Sequence, residues 1–383
     1  MGGTEGRHEV ARAIIDRRSW RVYTEAGMTQ EDSLALERAA SLAPSVLGSR
    51  SARVEVITGD QVGPLIGALT TGLIGKGNPW LFSAPPAGFA VLVGDSARGA
   101  READRHFYNV DAAVAGELVV LTATTRGLAS CWLAAINADE AARHLGLGRD
   151  DRIPAVVALG HGGVRRKGSL LAAGWDRITR VAVSQRRKPV EKICFLDRFD
   201  SGRTLPAADL GSLQGDARSL LDVVESLEPA SSFGGVDPGE RDLGLVVESM
   251  RLAPSADNGQ TWRFVVVRGR DRTVELMRAA GFVVPLDAAP AAVLAVAAAP
   301  FIVSHVRREQ PFALIDHPIA LTHAVLVATT LGLRWNLSFV FDYQAVRALT
   351  GFPASHQVTA LLALDREGEL GAPPHPDMVQ LFR

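Results

Sequence analysis

Three groups of residues could do chemistry. The first is Arg17-Arg18-Ser19-Trp20-Arg21, three guanidinium groups and a hydroxyl in five residues. Clustered forked donors of this kind bind phosphate oxygens. Arg17 and Arg21, with Ser19 between them, would act at a helix end. Arg187, with Arg186 or Lys188, can close such a cluster from further along the chain. The second group is Pro254-Ser255-Ala256-Asp257-Asn258-Gly259-Gln260. Its two amides offer donors and acceptors to a polar ligand. The third is Leu133-Ala134-Ala135, after Cys131-Trp132, whose small side chains let the backbone approach a ligand. Each group has a plainer reading: solvated arginines, a polar loop capping a helix, and an ordinary buried strand. Cys131 reads as a small core residue rather than a nucleophile. His317 and His323 read as structural or surface groups. Other chemistries are not found. There is no P-loop, no His-Glu-x-x-His and no Cys-x-x-Cys, and Gly146-Leu147-Gly148 lacks the third glycine of a dinucleotide fingerprint. His161-Gly162-Gly163 has no Gly-x-Ser-x-Gly elbow to go with it.

The elements that must position these groups follow from apolar periodicity and turn residues. A helix over about 9–17 delivers Arg17. A second helix ends near Leu42, stopped by Pro44. A strand is expected over 53–58, a helical segment over 60–73, and a buried strand over 89–94. A long apolar helix runs over 111–126 and stops at Gly127. A short strand at 131–135, a helix at 138–145 and a strand at 155–160 complete the unit.

That order then recurs. Residues 42–57 (LAPSVLGSRSARVEVI) align without a gap on 252–267 (LAPSADNGQTWRFVVV), 210 positions later. Residues 107–128 (FYNVDAAVAGELVVLTATTRGL) align on 312–333 (FALIDHPIALTHAVLVATTLGL), 205 later. Residues 11–16 match 217–222, and 153–159 match 358–364. Co-linear matches over most of both halves indicate a tandem duplication. The polar, Gly-containing stretch 200–215, with Pro206, reads as the junction.

These motifs, in this order, resemble the FMN-dependent nitroreductase family. That family has an Arg-Arg-Ser-x-Arg start, a Pro-Ser-x-x-Asn-x-Gln-Pro-Trp-Arg-Phe loop, a Gly-Leu-Gly-Ser-Cys-Trp segment and an Arg-Lys-Pro tail. The first half holds Arg17–Arg21, 127–132 (GLASCW) and 187–193 (RKPVEKI); the second half holds the loop at 254–264, with Thr261 in place of the proline. The resemblance implies an α+β nitroreductase-like fold. Two repeats, residues 1–202 and 203–383, would form an intramolecular pseudo-dimer. In the family the subunits share each flavin site, so one composite site is complete here. It implies FMN held by Arg17, Arg18, Ser19, Arg21, Arg187 and Lys188 at the phosphate end, and by Pro254, Ser255, Asn258 and Gln260 around the ring and ribityl chain. Leu133, Ala134 and Ala135 would face N5 with their backbone, and Asn78 would be a further contact. The reciprocal site has Val223, Glu225 and Leu227 where the first half has Arg17, Ser19 and Arg21. An anion in place of cations repels phosphate, so one FMN per chain is expected.

The flavin would carry the chemistry, so no catalytic acid or base is assigned. Three functions stay open. One is NAD(P)H-driven ping-pong reduction of a nitroaromatic, quinone or enoate. The second is a flavin dehydrogenase or oxidase of a natural-product intermediate. The third is a non-enzymatic flavin-binding or storage protein. The segments 59–83 and 269–287 would set substrate choice, with Trp80, Phe82 and Phe282 as wall residues.

Length and composition fit this picture. The 383 residues suffice for two units, and 47% hydrophobic residues fill a core. A net charge of −1 gives no chain-wide case for nucleic acid or an anionic membrane. Two cysteines form no disulfide framework, and the N-terminus lacks a signal-peptide h-region. A cytoplasmic protein with a small-molecule substrate is expected, and the fused dimer makes a monomer plausible. The uncharged stretch 288–306 contains Pro290 and Pro300 and aligns with a buried strand, which argues against a membrane span.

Overall fold

Two five-stranded sheets repeat one strand order. The structure, a computed structural model, describes residues 8–72, 78, 80–102, 105–133, 135–163, 187–215, 218–282, 289–300 and 312–366. The helices are α1 (Glu9–Asp16), α2 (Gln30–Ser41), α3 (Val62–Leu69), α4 (Trp80–Ser83), α5 (Tyr108–Thr125), α6 (Ala138–His144), α7 (Leu220–Glu225), α8 (Glu240–Arg251), α9 (Arg270–Ala279), α10 (Ala313–Thr330) and α11 (Tyr343–Thr350). In the first sheet β1 (Ala52–Thr58), β2 (Gly88–Asp95), β7 (Val156–Gly160) and β5 (Ala129–Leu133) lie in that order, with the short β6 (Asp151–Arg152) on β2. The second sheet runs β9 (Trp262–Arg268), β10 (Ala292–Ala298), β12 (Gln357–Arg366), β11 (Leu333–Ser338). The sequence offsets map these four onto β1, β2, β7 and β5. The second sheet gains β8 (Cys194–Leu196), which pairs parallel to β9 with Cys194 opposite Phe264. The chain that follows Arg187-Lys188 therefore crosses to the other repeat's sheet. A small hairpin, β3 (Arg101–Glu102) with β4 (Arg105–His106), stands apart.

The repeat extends to single hydrogen bonds. Asp111 accepts from Val46 N at 2.7 Å, and its counterpart Asp316 accepts from Ala256 N at 3.1 Å. Ser45 Oγ accepts from Arg50 N at 3.1 Å, and Ser255 Oγ from Gln260 N at 3.0 Å. This corrects the expected start of the long helix. Asp111 has the residue type of an N-cap, but it lies a turn inside α5, which begins at Tyr108. Its carboxylate serves the loop at Val46–Ser51 instead. The expected strand over 131–135 likewise lies two residues earlier, at Ala129–Leu133.

α5 and α10 pack against each other at the centre. Every residue of α5 from Tyr108 to Ala123 is buried, the pattern of a helix enclosed on all sides. α10 is long and apolar enough to cross a membrane, but 83% of that window is buried inside the protein. The uncharged stretch near 288–306 contributes strand β10, buried from Ala292 to Ala297. One apolar cluster joins Val10, Ile14 and Leu118 of the first repeat to Leu243, Val246 and Leu326 of the second. The two repeats share a core.

Candidate composite site between the repeats

α1 positions the first cationic group. Its apolar face (Val10, Ala11, Ala13, Ile14) is buried, and Arg17 N closes the helix on Ala13 O. The chain then runs beside β5: Ser19 bridges Ser130, and Trp20 N donates to Ser130 O at 2.9 Å. Arg17 is 6% exposed, and its buried Nε has no hydrogen-bond partner among the described residues. Burial lowers its pKa, and the Glu117 carboxylate works in the opposite direction. Arg18 is exposed and folds back on the helix end, donating to Ile15 O and, at 2.8 Å, to Arg17 O. Arg21 is exposed. Burial raises the Cys131 thiol pKa, so this cysteine is an inert core residue.

The second cationic group is fastened to the loop of the other repeat. Arg187 Nη1 donates to Asn258 Oδ1 at 3.0 Å, and its Nη2 to Leu252 O at 2.8 Å. Lys188 N donates to Gln260 Oε1 at 2.7 Å, and its Nζ to the carbonyls of Gly259 and Gln260 at 2.8 and 3.0 Å. Both amides predicted to address a ligand thus also hold the tail. Burial, then the like charges of Arg17, Arg251 and Arg18, push Arg187 down to about 10. Burial and Arg263 push Lys188 down to about 8. The loop is built from left-handed backbone at Asp257, Asn258 and Gln260, with φ of 48°, 53° and 45°. Such positions cost about 1–3 kcal/mol each and persist where surroundings fix them. Here Ser255 Oγ and the Asp316 carboxylate do so. Pro254 is buried at the base of the loop.

The third group lies past β5. Leu133 is buried, and Asn78 Nδ2 donates to Ala135 O at 2.8 Å. Asn78 thus sits on the segment it was expected to share a ligand with. Ala134 lies outside the described residues, as do Arg186, residues 73–77 and 79 within 59–83, and residues 283–287 within 269–287. Trp80 packs near Tyr23, and Phe82 is 66% exposed. Phe282 packs against an apolar cluster of the second repeat.

The reciprocal place is filled. Val223 and Val224 are buried in the shared core. Glu225 pairs with Arg38. Past β11, where the offset of 205 sets Phe339 and Tyr343 against 134 and 138, the first repeat's hairpin docks. Arg105 stacks on the Tyr343 ring with its guanidinium carbon 3.6 Å from the centroid, and it donates to Val358 O. Tyr343 pairs with Glu102 and donates to Phe339 O at 2.6 Å.

The nitroreductase family model matches the chain twice, at residues 14–161 and 238–365. The chain belongs to the nitroreductase family. No curated protein matches the chain. Among solved structures, a nitroreductase family protein from Clostridium difficile 630 is similar at 18% identity, over 48% of this chain and 94% of that one, with a TM-score of 0.37. An FMN-dependent nitroreductase from Clostridium difficile R20291 gives 21%, 42%, 92% and 0.35. A nitroreductase with bound FMN from Desulfitobacterium hafniense DCB-2 gives 18%, 43%, 94% and 0.34.

This nitroreductase, an oxidoreductase by family, also holds buried groups that sequence reasoning missed. Glu117 and His323 are wholly buried and 2.8 Å apart, Oε1 to Nε2. Trp132 Nε1 donates to Glu117 Oε2 at 3.0 Å, and His323 Nδ1 meets Ser249 O at 3.0 Å. His317 is buried between Thr261 and Thr359, at 3.2 and 2.7 Å. Neither histidine is a surface group. Burial pushes His317 down to about 3, and so keeps it neutral. Thr261, which replaces the family's proline, supplies its hydroxyl to that histidine. The signal was a carboxylate inside an apolar helix, which needs a buried partner.

Proposed function

We propose that the nitroreductase binds one FMN per chain at this composite site. It would then carry out NAD(P)H-driven reduction of a small nitroaromatic, quinone or enoate. The carrying observation is Arg17. It is a buried cation with an unpartnered Nε, among Arg18, Arg187 and Arg251. Arg251 is paired with Glu248, and Glu117 offsets the charge of Arg17 and Arg187 only in part; the Arg17 Nε stays unpartnered among the described residues, and a phosphate fits the forked donors. Arg17, Ser19, Arg21 and Arg187 would hold that phosphate, with Arg18 at the helix end. Lys188 would add its charge at the phosphate end, and Pro254, Ser255, Asn258 and Gln260 would flank the ring and ribityl chain. The backbone of Leu133 and Ala135, the latter held by Asn78, would lie toward N5 and stabilise negative charge there.

FMN, when bound, supplies the two-electron redox chemistry. The residues named above would hold its ring and phosphate. Repeats 1–202 and 203–383 act as one intramolecular pair, with β8 exchanged between them. The protein works as a cytoplasmic monomer on small molecules, without nucleic acid or membrane partners.

Anaerobic mixing of the FMN-loaded protein with NADPH or NADH tests the reading. Rapid bleaching of the flavin absorbance, restored by a quinone or nitroaromatic, is expected. Turnover only with oxygen and an organic donor would replace it with an oxidase. No redox response to any donor would leave a flavin-binding protein.

A further inference from the structure

The Glu117–His323 pair joins the two repeats directly beneath the composite site. Glu117 lies on α5 of the first repeat and His323 on α10 of the second. The Ser249 carbonyl can only accept, so His323 Nδ1 carries a proton. One further proton lies between Nε2 and Glu117 Oε1. The other carboxylate oxygen accepts from the Trp132 indole. The ring of Trp132 is seated with little room. A Cβ on Gly116 would lie 2.6 Å from its Cη2 and 2.7 Å from Leu92 Cδ1. Trp132 is followed at once by the segment 133–135. Glu117 is also the anion felt by Arg17 and Arg187. One carboxylate therefore touches the ring-facing strand through a hydrogen bond and the phosphate cluster through its field.

We infer that His323 and Glu117 are positioning residues. The second repeat, through His323 and Glu117, fixes Trp132 and so the pose of the segment that faces the flavin. The inference rests on the FMN reading above. Glu117→Gln keeps the chain intact, because its carbonyl accepts from Trp132 while its amide donates to neutral His323 Nε2. His323→Leu breaks it and leaves Glu117 buried without its partner. Trp132→Phe keeps the ring and removes only the N–H.

The test uses the full chain with and without FMN. Its readouts are solvent exchange of the Trp132 indole N–H by NMR, the visible spectrum of bound FMN, and the FMN Kd. In His323→Leu the indole is expected to lose protection, the flavin spectrum to move toward that of Trp132→Phe, and the Kd to rise about tenfold. Glu117→Gln is expected to keep the indole protected and the flavin spectrum like wild type, and its Kd is expected not to rise, because losing the carboxylate's field beside Arg17 and Arg187 favours an anion. A folded His323→Leu with a protected indole and unchanged spectrum and Kd overturns the inference. So does a Glu117→Gln as impaired as His323→Leu. If His323→Leu does not fold, Trp132→Phe decides: a shifted spectrum and weaker FMN support the inference, and no change overturns it. A wild type that takes up no FMN sinks the functional reading instead. The indole exchange, which needs no flavin, then still decides the contact.

Discussion

Arg17 and Lys188 are the side chains on which the proposed FMN binding turns. Removing forked, charge-assisted donors costs roughly 1.5–3 kcal/mol each. Arg17→Ala combined with Arg21→Ala is therefore expected to weaken FMN at least about tenfold, measured by fluorescence quenching of added FMN. Glu225→Ala, in the reciprocal place, removes only an exposed pair with Arg38 and should leave FMN affinity unchanged. In the proposed site, Lys188 would give the binding its pH dependence. Its pKa is lowered to about 8, by burial first and then by Arg263. It is charged below that value and loses its proton as pH rises through it, so affinity for anionic FMN should fall above about pH 8. Lys188→Met should bind more weakly and lose that fall. At this scale the cationic groups and the amide loop were legible, because their chemistry is carried by residue type. The partners that bury Arg17 and engage Asn258 were not, because they come from distant stretches of the chain, such as Glu117 and Cys131, or from the other repeat.

Helix α10 carries two titrating neighbours that work against each other. Burial pushes Asp316 up to about 7 and His317 down to about 3. The native state holds the Asp316 proton that the unfolded chain releases above about pH 4, so this group's contribution to stability fades as pH rises toward 7. His317 does the reverse: the unfolded chain takes a proton below about pH 6.5 that the native state refuses, so its contribution fades as pH falls. Asp316→Asn keeps an oxygen for Ala256 N and removes one of the two terms. Urea titrations of both proteins should diverge as pH falls from about 7 to about 4, with wild type gaining about 1.4 kcal/mol per pH unit relative to the variant. A constant difference would contradict the assignment. Element order was readable from the repeat itself, since matched segments fold alike. Element ends were not. Asp111 carries a cap signal, but it faces the loop at Val46–Ser51, and only tertiary packing decides between those uses. The hairpin that brings Arg105 onto Tyr343 had no local signal either.

At the scale of the molecule, the family pattern occurs twice, and the proposal gives the two copies different tasks. One place between the repeats gathers Arg17, Arg187, Asn258 and Gln260. The other is closed by Val223, Val224 and the Arg105–Tyr343 stack. The central core takes side chains from both repeats. Residues 1–202 and 203–383, made separately, should fail to give cooperative unfolding transitions. Two independently folded halves would contradict the shared core. The most direct test of one composite site is calorimetric titration of flavin-free protein with FMN. One FMN per chain is predicted, with binding weakened by Arg17→Ala. Two per chain, or one that is indifferent to Arg17, would contradict the account.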